Sequence, residues 1–214
     1  MSLAPAPTPR VKNRKESDHP DFWEERYRAE RLPWDLGAEP VELASALVSE
    51  FRPAGRVLIP GCGSGYEVRS FVAAGWEVCA IDFAPAAVAR AQRILGPLGD
   101  RVQQADFFTS ELSGPFDLIY ERTFLCSLPP ERWPHYAARM TSLLRPGGWL
   151  AGVFFYGTDP EPPPHPLSPE TAHRLFGSHF RLHVDRPVSA GQSLPIYGGA
   201  ERWQIWQLLP DPVP

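Results

Sequence analysis

The chain has 214 residues, 43% of them hydrophobic, with 21 basic and 25 acidic side chains and a formal net charge of −4. That length suits one domain and allows a substantial core. The mild acidity argues against a nucleic-acid or anionic-membrane partner, and no run approaches the ~18 apolar residues of a membrane span, so a small-molecule partner and a cytoplasmic protein are expected.

Residues 1–17 are rich in proline and then in charge, which predicts a flexible arm, and the first ten residues lack the apolar stretch of a signal peptide. The remainder, 18–214, reads as one domain whose first part, 18–52, is a helical cover. A helix is predicted over 20–31, where Phe22, Trp23 and Tyr27 put aromatic rings on one face. Trp34 follows Pro33 in a loop, and a second helix is predicted over 40–51, with Leu43, Leu47 and Phe51 at four-residue spacing.

Strands and helices then alternate. Strands are predicted near 56–60, 76–82, 101–105, 116–121 and 148–156, with helices near 64–74, 84–95 and 131–144. Such alternation builds an open, mostly parallel α/β sheet with helices on both faces, a Rossmann-like fold. A proline-rich loop at 157–169 follows, then a helix near 168–177 and strands near 179–186 and 201–209. These last two are expected to pair as an antiparallel C-terminal edge, bringing the sheet to seven strands. Arg202-Trp-Gln-Ile-Trp-Gln-Leu208 alternates as a half-buried strand does.

The chemistry concentrates in Pro60-Gly-Cys-Gly-Ser-Gly65 and in Asp82, 17 residues after Gly65. Gly61, Gly63 and Gly65 allow a sharp turn and close backbone approach to a ligand, and the turn opens a helix N-terminus. A carboxylate at the end of the second strand can accept hydrogen bonds from both hydroxyls of a ribose. A nucleoside-containing cofactor is therefore expected. The spacing departs from the dinucleotide pattern G-x-G-x-x-G, because Tyr66, Glu67 and Val68 follow Gly65 with no further glycine. The three cysteines, Cys62, Cys79 and Cys126, are widely spaced, and the six histidines lack ligand spacing, so neither a disulfide framework nor a metal site is expected.

The glycine turn resembles motif I of the class I S-adenosylmethionine-dependent methyltransferases. Phe22-Trp-Glu-Glu-Arg-Tyr27, Leu32-Pro-Trp-Asp-Leu-Gly37, Gln104-Ala-Asp-Phe-Phe108 and Phe116-Asp-Leu-Ile-Tyr-Glu-Arg-Thr-Phe-Leu-Cys-Ser-Leu128 together resemble the thiopurine S-methyltransferase superfamily, and Val57-Leu-Ile-Pro-Gly-Cys-Gly-Ser-Gly-Tyr66 resembles especially its halide/thiol branch. The resemblance covers residues 20 to about 150. It implies S-adenosyl-L-methionine as cofactor, covered by Trp23, Tyr27 and Trp34, although the family usually has a tryptophan where Tyr27 stands. Gly61, Cys62, Gly63 and Gly65 would lie along the methionine portion, Asp82 and Phe83 at the ribose, Asp106 and Phe107 at the adenine, and Glu121 beside the methionyl amine. Asp106 has a second reading, as the cap of the turn that follows it. Arg122 matches an arginine of the thiopurine branch near cofactor and acceptor and is the candidate catalytic residue. Phe124 and Tyr156 are expected to wall the acceptor pocket.

Methyl transfer from a sulfonium needs alignment and an available lone pair, and a soft nucleophile needs little or no general base. A thiol, hydrosulfide, thiocyanate or halide acceptor is expected. The alternatives are an O- or N-methyltransferase of a small metabolite, a nicotinamide-dependent oxidoreductase, and a non-enzymatic cofactor-binding protein. A monomer or weak homo-oligomer is expected.

Overall fold

The computed structural model describes residues 17–51, 55–158, 162–189 and 191–210. Nearly all of the expected N-terminal arm lies outside the described residues. A seven-stranded sheet organises the rest, in the order β3-β2-β1-β4-β5-β7-β6. Its strands are β1 (Arg56–Pro60), β2 (Glu77–Asp82), β3 (Val102–Gln104), β4 (Phe116–Arg122), β5 (Leu144–Phe155), β6 (Phe180–Pro187) and β7 (Glu201–Leu208). The first five pair in parallel. Strand β7 runs antiparallel to both of its neighbours.

The central strands are continuous apolar runs because both of their faces are covered. Val57, Leu58 and Ile59 of β1 and Leu118, Ile119 and Tyr120 of β4 are all buried. On one face lie α2 (Val41–Ser49), α3 (Glu67–Ala73) and α4 (Pro85–Leu95), which bring Leu43, Val68, Phe71 and Val88 against Val57, Ile59 and Tyr120. On the other lie α5 (Trp133–Leu143) and α6 (Pro169–Phe176), which bring Trp133, Tyr136, Met140 and Phe176 against Leu58, Ile119 and Trp206. Helix α1 (Pro20–Arg28) and the loop after it belong to neither layer and cover the C-terminal ends of the strands.

Two local outcomes refine the sequence reading. Helix α3 begins at Glu67 rather than near 64, because Gly63 and Gly65 adopt positive φ (54° and 70°) and hold the turn out of helical geometry. Strand β7 is buried on both faces, Trp203 and Ile205 toward one helical layer and Trp206 and Leu208 toward the other. It is inserted between β5 and β6, so β6 forms the edge, and Arg181, Leu182 and His183 there are exposed.

The chain runs outward from β1 in two directions, through β2 to β3 and, after crossing back, through β4 to β5. The point between β1 and β4 where strand order reverses is where open α/β sheets place ligands, just beyond the carboxyl ends of the strands.

Candidate active site

A cavity of ≈ 320 Å³ opens at that point. Its floor is the glycine turn. Cys62 N–H donates to the Ile81 carbonyl (2.9 Å), which ties the turn to β2. Gly63 N–H donates to Asp82 Oδ2 (3.1 Å) and Ala84 N–H to Asp82 Oδ1 (2.9 Å), so each carboxylate oxygen carries one backbone hydrogen bond and keeps acceptor capacity. Burial pushes the Asp82 carboxyl up to about 6, against the pull of those amides.

Aromatic rings close over the turn. A Cβ on Gly63 would stand 2.6 Å from the Tyr27 hydroxyl, and one on Gly61 would stand 2.5 Å from the Phe124 ring, so both positions demand glycine. Trp34 packs edge-on against Trp23 (5.2 Å between centroids) and Tyr27 (6.0 Å), and Trp23 Nε1 donates to the Ser17 carbonyl (2.6 Å). Burial, reinforced by Asp82, raises the Tyr27 phenol above its ordinary range and keeps it neutral.

The cover is fastened at three places. Glu24 Oε2 accepts the Ala86 N–H (2.7 Å) in the first turn of α4, a helix without a capping side chain of its own. Asp35 Oδ2 accepts from Ser64 Oγ (2.6 Å) and Arg90 Nη2 (3.3 Å). Arg132 pairs with Asp18 (3.7 Å) and lies over the Phe108 ring.

The adenine-side expectation falls on Asp106 and Phe107, and both line the cavity. Asp106 Oδ1 also accepts the Phe108 N–H (2.7 Å), so the turn-capping role is present as well. Phe107 is 4% exposed and packs edge-on against Phe124 (5.3 Å), leaving Phe108 the more open ring of the pair.

At the other end stands Arg122, half-buried on the cavity wall, with Nη1 buried and lacking a hydrogen-bond partner. Burial works against its charge, but Glu67, Tyr120, Glu201 and Tyr197 outweigh it, and the guanidinium lies above its ordinary range. Thr123 next to it holds a left-handed conformation (φ 58°), which is strained for a β-branched residue and turns the chain sharply after β4. No histidine lines the cavity among the described residues.

The structure therefore brings Trp23, Tyr27, Trp34, Gly61, Cys62, Gly63, Gly65, Asp82, Phe83, Asp106, Phe107, Arg122 and Phe124 to one cavity. Two expected positions fall outside it. Glu121 points to the opposite face of β4 from Arg122, where its Oε1 accepts the N–H groups of Phe124 (2.6 Å) and Leu125 (3.1 Å) and burial pushes it up to about 8. Tyr156 gives its hydroxyl to Gln204 Oε1 (3.1 Å), over β7 and away from the cavity. Cavity residues that sequence reasoning passed over include Asp35, Glu67, Arg132 and Tyr197. Glu67 alone carried a local signal, a carboxylate in the first turn after the glycines.

A glycine turn on β1, a carboxylate ending β2 and an antiparallel β7 define the class I methyltransferase fold. The family profile described as thiopurine S-methyltransferase (TPMT) matches residues 18–194. The chain belongs to that family of class I S-adenosylmethionine-dependent methyltransferases. It is 36% identical over 137 residues to the probable thiol methyltransferase 2 of Arabidopsis thaliana, covering 62% of this chain and 61% of that one. Thiocyanate methyltransferase 1 of the same plant is 32% identical over 141 residues, 64% of this chain and 62% of the relative. The chain thus spans somewhat under two thirds of the length of these relatives. Among solved structures, the 1,6-didemethyltoxoflavin-N1-methyltransferase of Burkholderia thailandensis, with bound 1,6-didemethyltoxoflavin and S-adenosylhomocysteine, shares the fold at a TM-score of 0.69 and 21% identity, covering 97% of this chain and 93% of that one. No helix among the described residues is long and apolar enough to cross a membrane, and no cluster of three or more potential metal ligands occurs among them.

Proposed function

We propose that the protein transfers a methyl group from S-adenosyl-L-methionine to a small, soft nucleophile, sulfur in a thiol, hydrosulfide or thiocyanate, or a halide. The observation that carries this reading is Arg122, whose Nη1 is buried without a partner on a wall shared with Phe124 and Cys126. A fixed cation beside apolar surface suits a polarisable anion, which is cheaply desolvated, better than a hydroxyl that must first lose its proton.

The cavity fits the cofactor. Each Asp82 oxygen retains acceptor capacity for a ribose hydroxyl. Gly61 and Gly63 let Phe124 and Tyr27 close against the turn along which the methionyl chain would lie, Asp106 and the Phe107–Phe108 pair would stand at the adenine end, and Trp23, Tyr27 and Trp34 exclude water from above. When bound, the cofactor supplies an electrophilic methyl on a sulfonium. The protein's own part is to align, desolvate and hold charge: Arg122 keeps an anionic acceptor in place, and the aromatic cover keeps competing water out. Glu121, spent on the turn after β4, serves the site by fixing the backbone that carries Phe124.

The test is S-adenosylhomocysteine formation with hydrosulfide, thiocyanate, iodide and an aromatic thiol offered one at a time. Acceptor-dependent turnover with any of them supports the reading. Cofactor binding without turnover on all of them removes the soft-nucleophile assignment.

A further inference from the structure

Glu67 is buried (6% exposed) on the cavity wall, on the first turn of α3, and the chemistry above gives it no task. Arg122 of β4, Cys62 of the glycine turn and Asp35 of the cover line the same cavity, and the charges of Arg122, Asp35 and Glu39 act on the Glu67 carboxyl. On Arg122 it is the largest influence favouring the charged form. Yet no hydrogen bond or ion pair joins the two among the described residues, and Arg122 Nη1 is buried without a partner. A carboxylate and a guanidinium thus flank one wall of the cavity without neutralising each other by contact.

We propose that Glu67 is the proton acceptor for thiol acceptors and, by offsetting Arg122, sets the charge state in which an acceptor enters. This rests on the sulfur-acceptor reading above. A neutral thiol would place its sulfur near Arg122 and its proton toward Glu67. The S–H bond breaks, its electron pair stays on sulfur and the proton passes to a Glu67 oxygen. That sulfur would then take the methyl group the bound cofactor supplies, the new S–CH3 bond forming as the methyl–sulfonium bond gives its pair back to the donor sulfur. Glu67 gives its proton to solvent as products leave. Burial lifts the Glu67 carboxyl above its ordinary range, partly opposed by Arg122, which brings its basicity closer to that of a thiolate. A permanent anion such as thiocyanate gains nothing from this carboxylate and is repelled by it. Glu67 therefore favours thiols over anions at the same site.

The experiment compares wild type with Glu67→Gln on an aliphatic thiol, neutral at the assay pH, and on thiocyanate, always anionic. For the thiol, kcat/KM should fall by about 10²-fold and recover as the pH approaches the thiol's own pKa. For thiocyanate, kcat/KM should hold or rise. The dissociation constant of thiocyanate from the S-adenosylhomocysteine complex, read by tryptophan fluorescence, should tighten several-fold, and that of S-adenosylhomocysteine alone should not move. An equal loss on both acceptors with an unchanged pH profile would mean a structural role and overturn the proposal. A loss of S-adenosylhomocysteine affinity would overturn it too, by assigning Glu67 to the methionyl ammonium. If Glu67→Gln does not fold, Glu67→Asp carries the comparison, with a thiol loss exceeding the thiocyanate loss expected and equal losses fatal. Wild-type inactivity on both acceptors, with cofactor bound, sinks the sulfur reading itself and this proposal with it.

Discussion

The ends of β2 and β4 carry similar parts put to different uses. Each presents a buried carboxylate, Asp82 or Glu121, that accepts two backbone N–H groups. Asp82 takes one on each oxygen, from the glycine turn and from Ala84, and remains on the cavity wall. Glu121 takes both on a single oxygen, from the turn that follows it, and is sealed against the α5 layer beside Leu125, Phe154 and Leu167. Side chains alternate across a strand, so one residue of difference decides which face receives the carboxylate and which the neighbour. On β4 the neighbour Arg122 takes the cavity side, so of the two residues expected at the site only the cation lines the cavity. The strand-end rule finds the neighbourhood of a site, and strand parity decides its sign.

Mutation separates the two ends. Asp82→Ala should weaken S-adenosylhomocysteine binding by ~1–3 kcal/mol, read by calorimetric titration. An unchanged dissociation constant would remove Asp82 from the site. Glu121→Ala should show its effect elsewhere, with ~1–2 kcal/mol lost from unfolding free energy and cofactor affinity unchanged in the folded protein. A loss of affinity at full stability would return Glu121 to the cofactor.

Acidity distinguishes them further. On the proposed ribose assignment Asp82 acts as an ionised acceptor, so affinity should weaken as pH falls through about 6, and Asp82→Asn should abolish that dependence. Glu121 acts on stability. Its folded pKa is raised from 4.5 to about 8, so the folded state binds the proton more tightly than the unfolded chain. Its contribution is fully present below pH 4.5 and is lost as pH rises through about 8. Glu121→Gln, which keeps an acceptor for both amides, should flatten that loss in denaturation curves measured across the range. The smallest effect belongs to the cover. Asp35→Asn weakens the half-screened link to Arg90 and should cost affinity by ~0.5–1 kcal/mol, seen as a faster cofactor off-rate.

Much of this architecture was legible because its signals are local. The apolar run Val57-Leu58-Ile59 ending in Pro60-Gly61 announces a central strand and its turn, and Ala87, Val88, Ala91 and Leu95 repeat at helical spacing on the face that α4 buries. The last two strands were harder. Trp203 and Trp206 lie on opposite faces, and only the insertion of β7 between β5 and β6 explains why both are buried. Strand parity at Glu121 and Arg122 was beyond local reading, because pairing with β5 shifts register between Phe116 and Leu118. Tyr156 follows the apolar Phe154-Phe155 pair and reads as a pocket wall, but its partner, Gln204, lies on a strand 48 residues later. Glu67 reads as a favourable carboxylate at a helix N-terminus, and only the sheet brings Arg122 to the same cavity.

Single turnover with cofactor carrying a ¹³C-labelled methyl, offered hydrosulfide or an aromatic thiol and followed by NMR, bears on methyl transfer to sulfur most directly. Label appearing as an S–CH3 resonance in the acceptor, in step with S-adenosylhomocysteine, is the expected result. Label that stays on the cofactor, or reaches only oxygen or nitrogen acceptors, would contradict it.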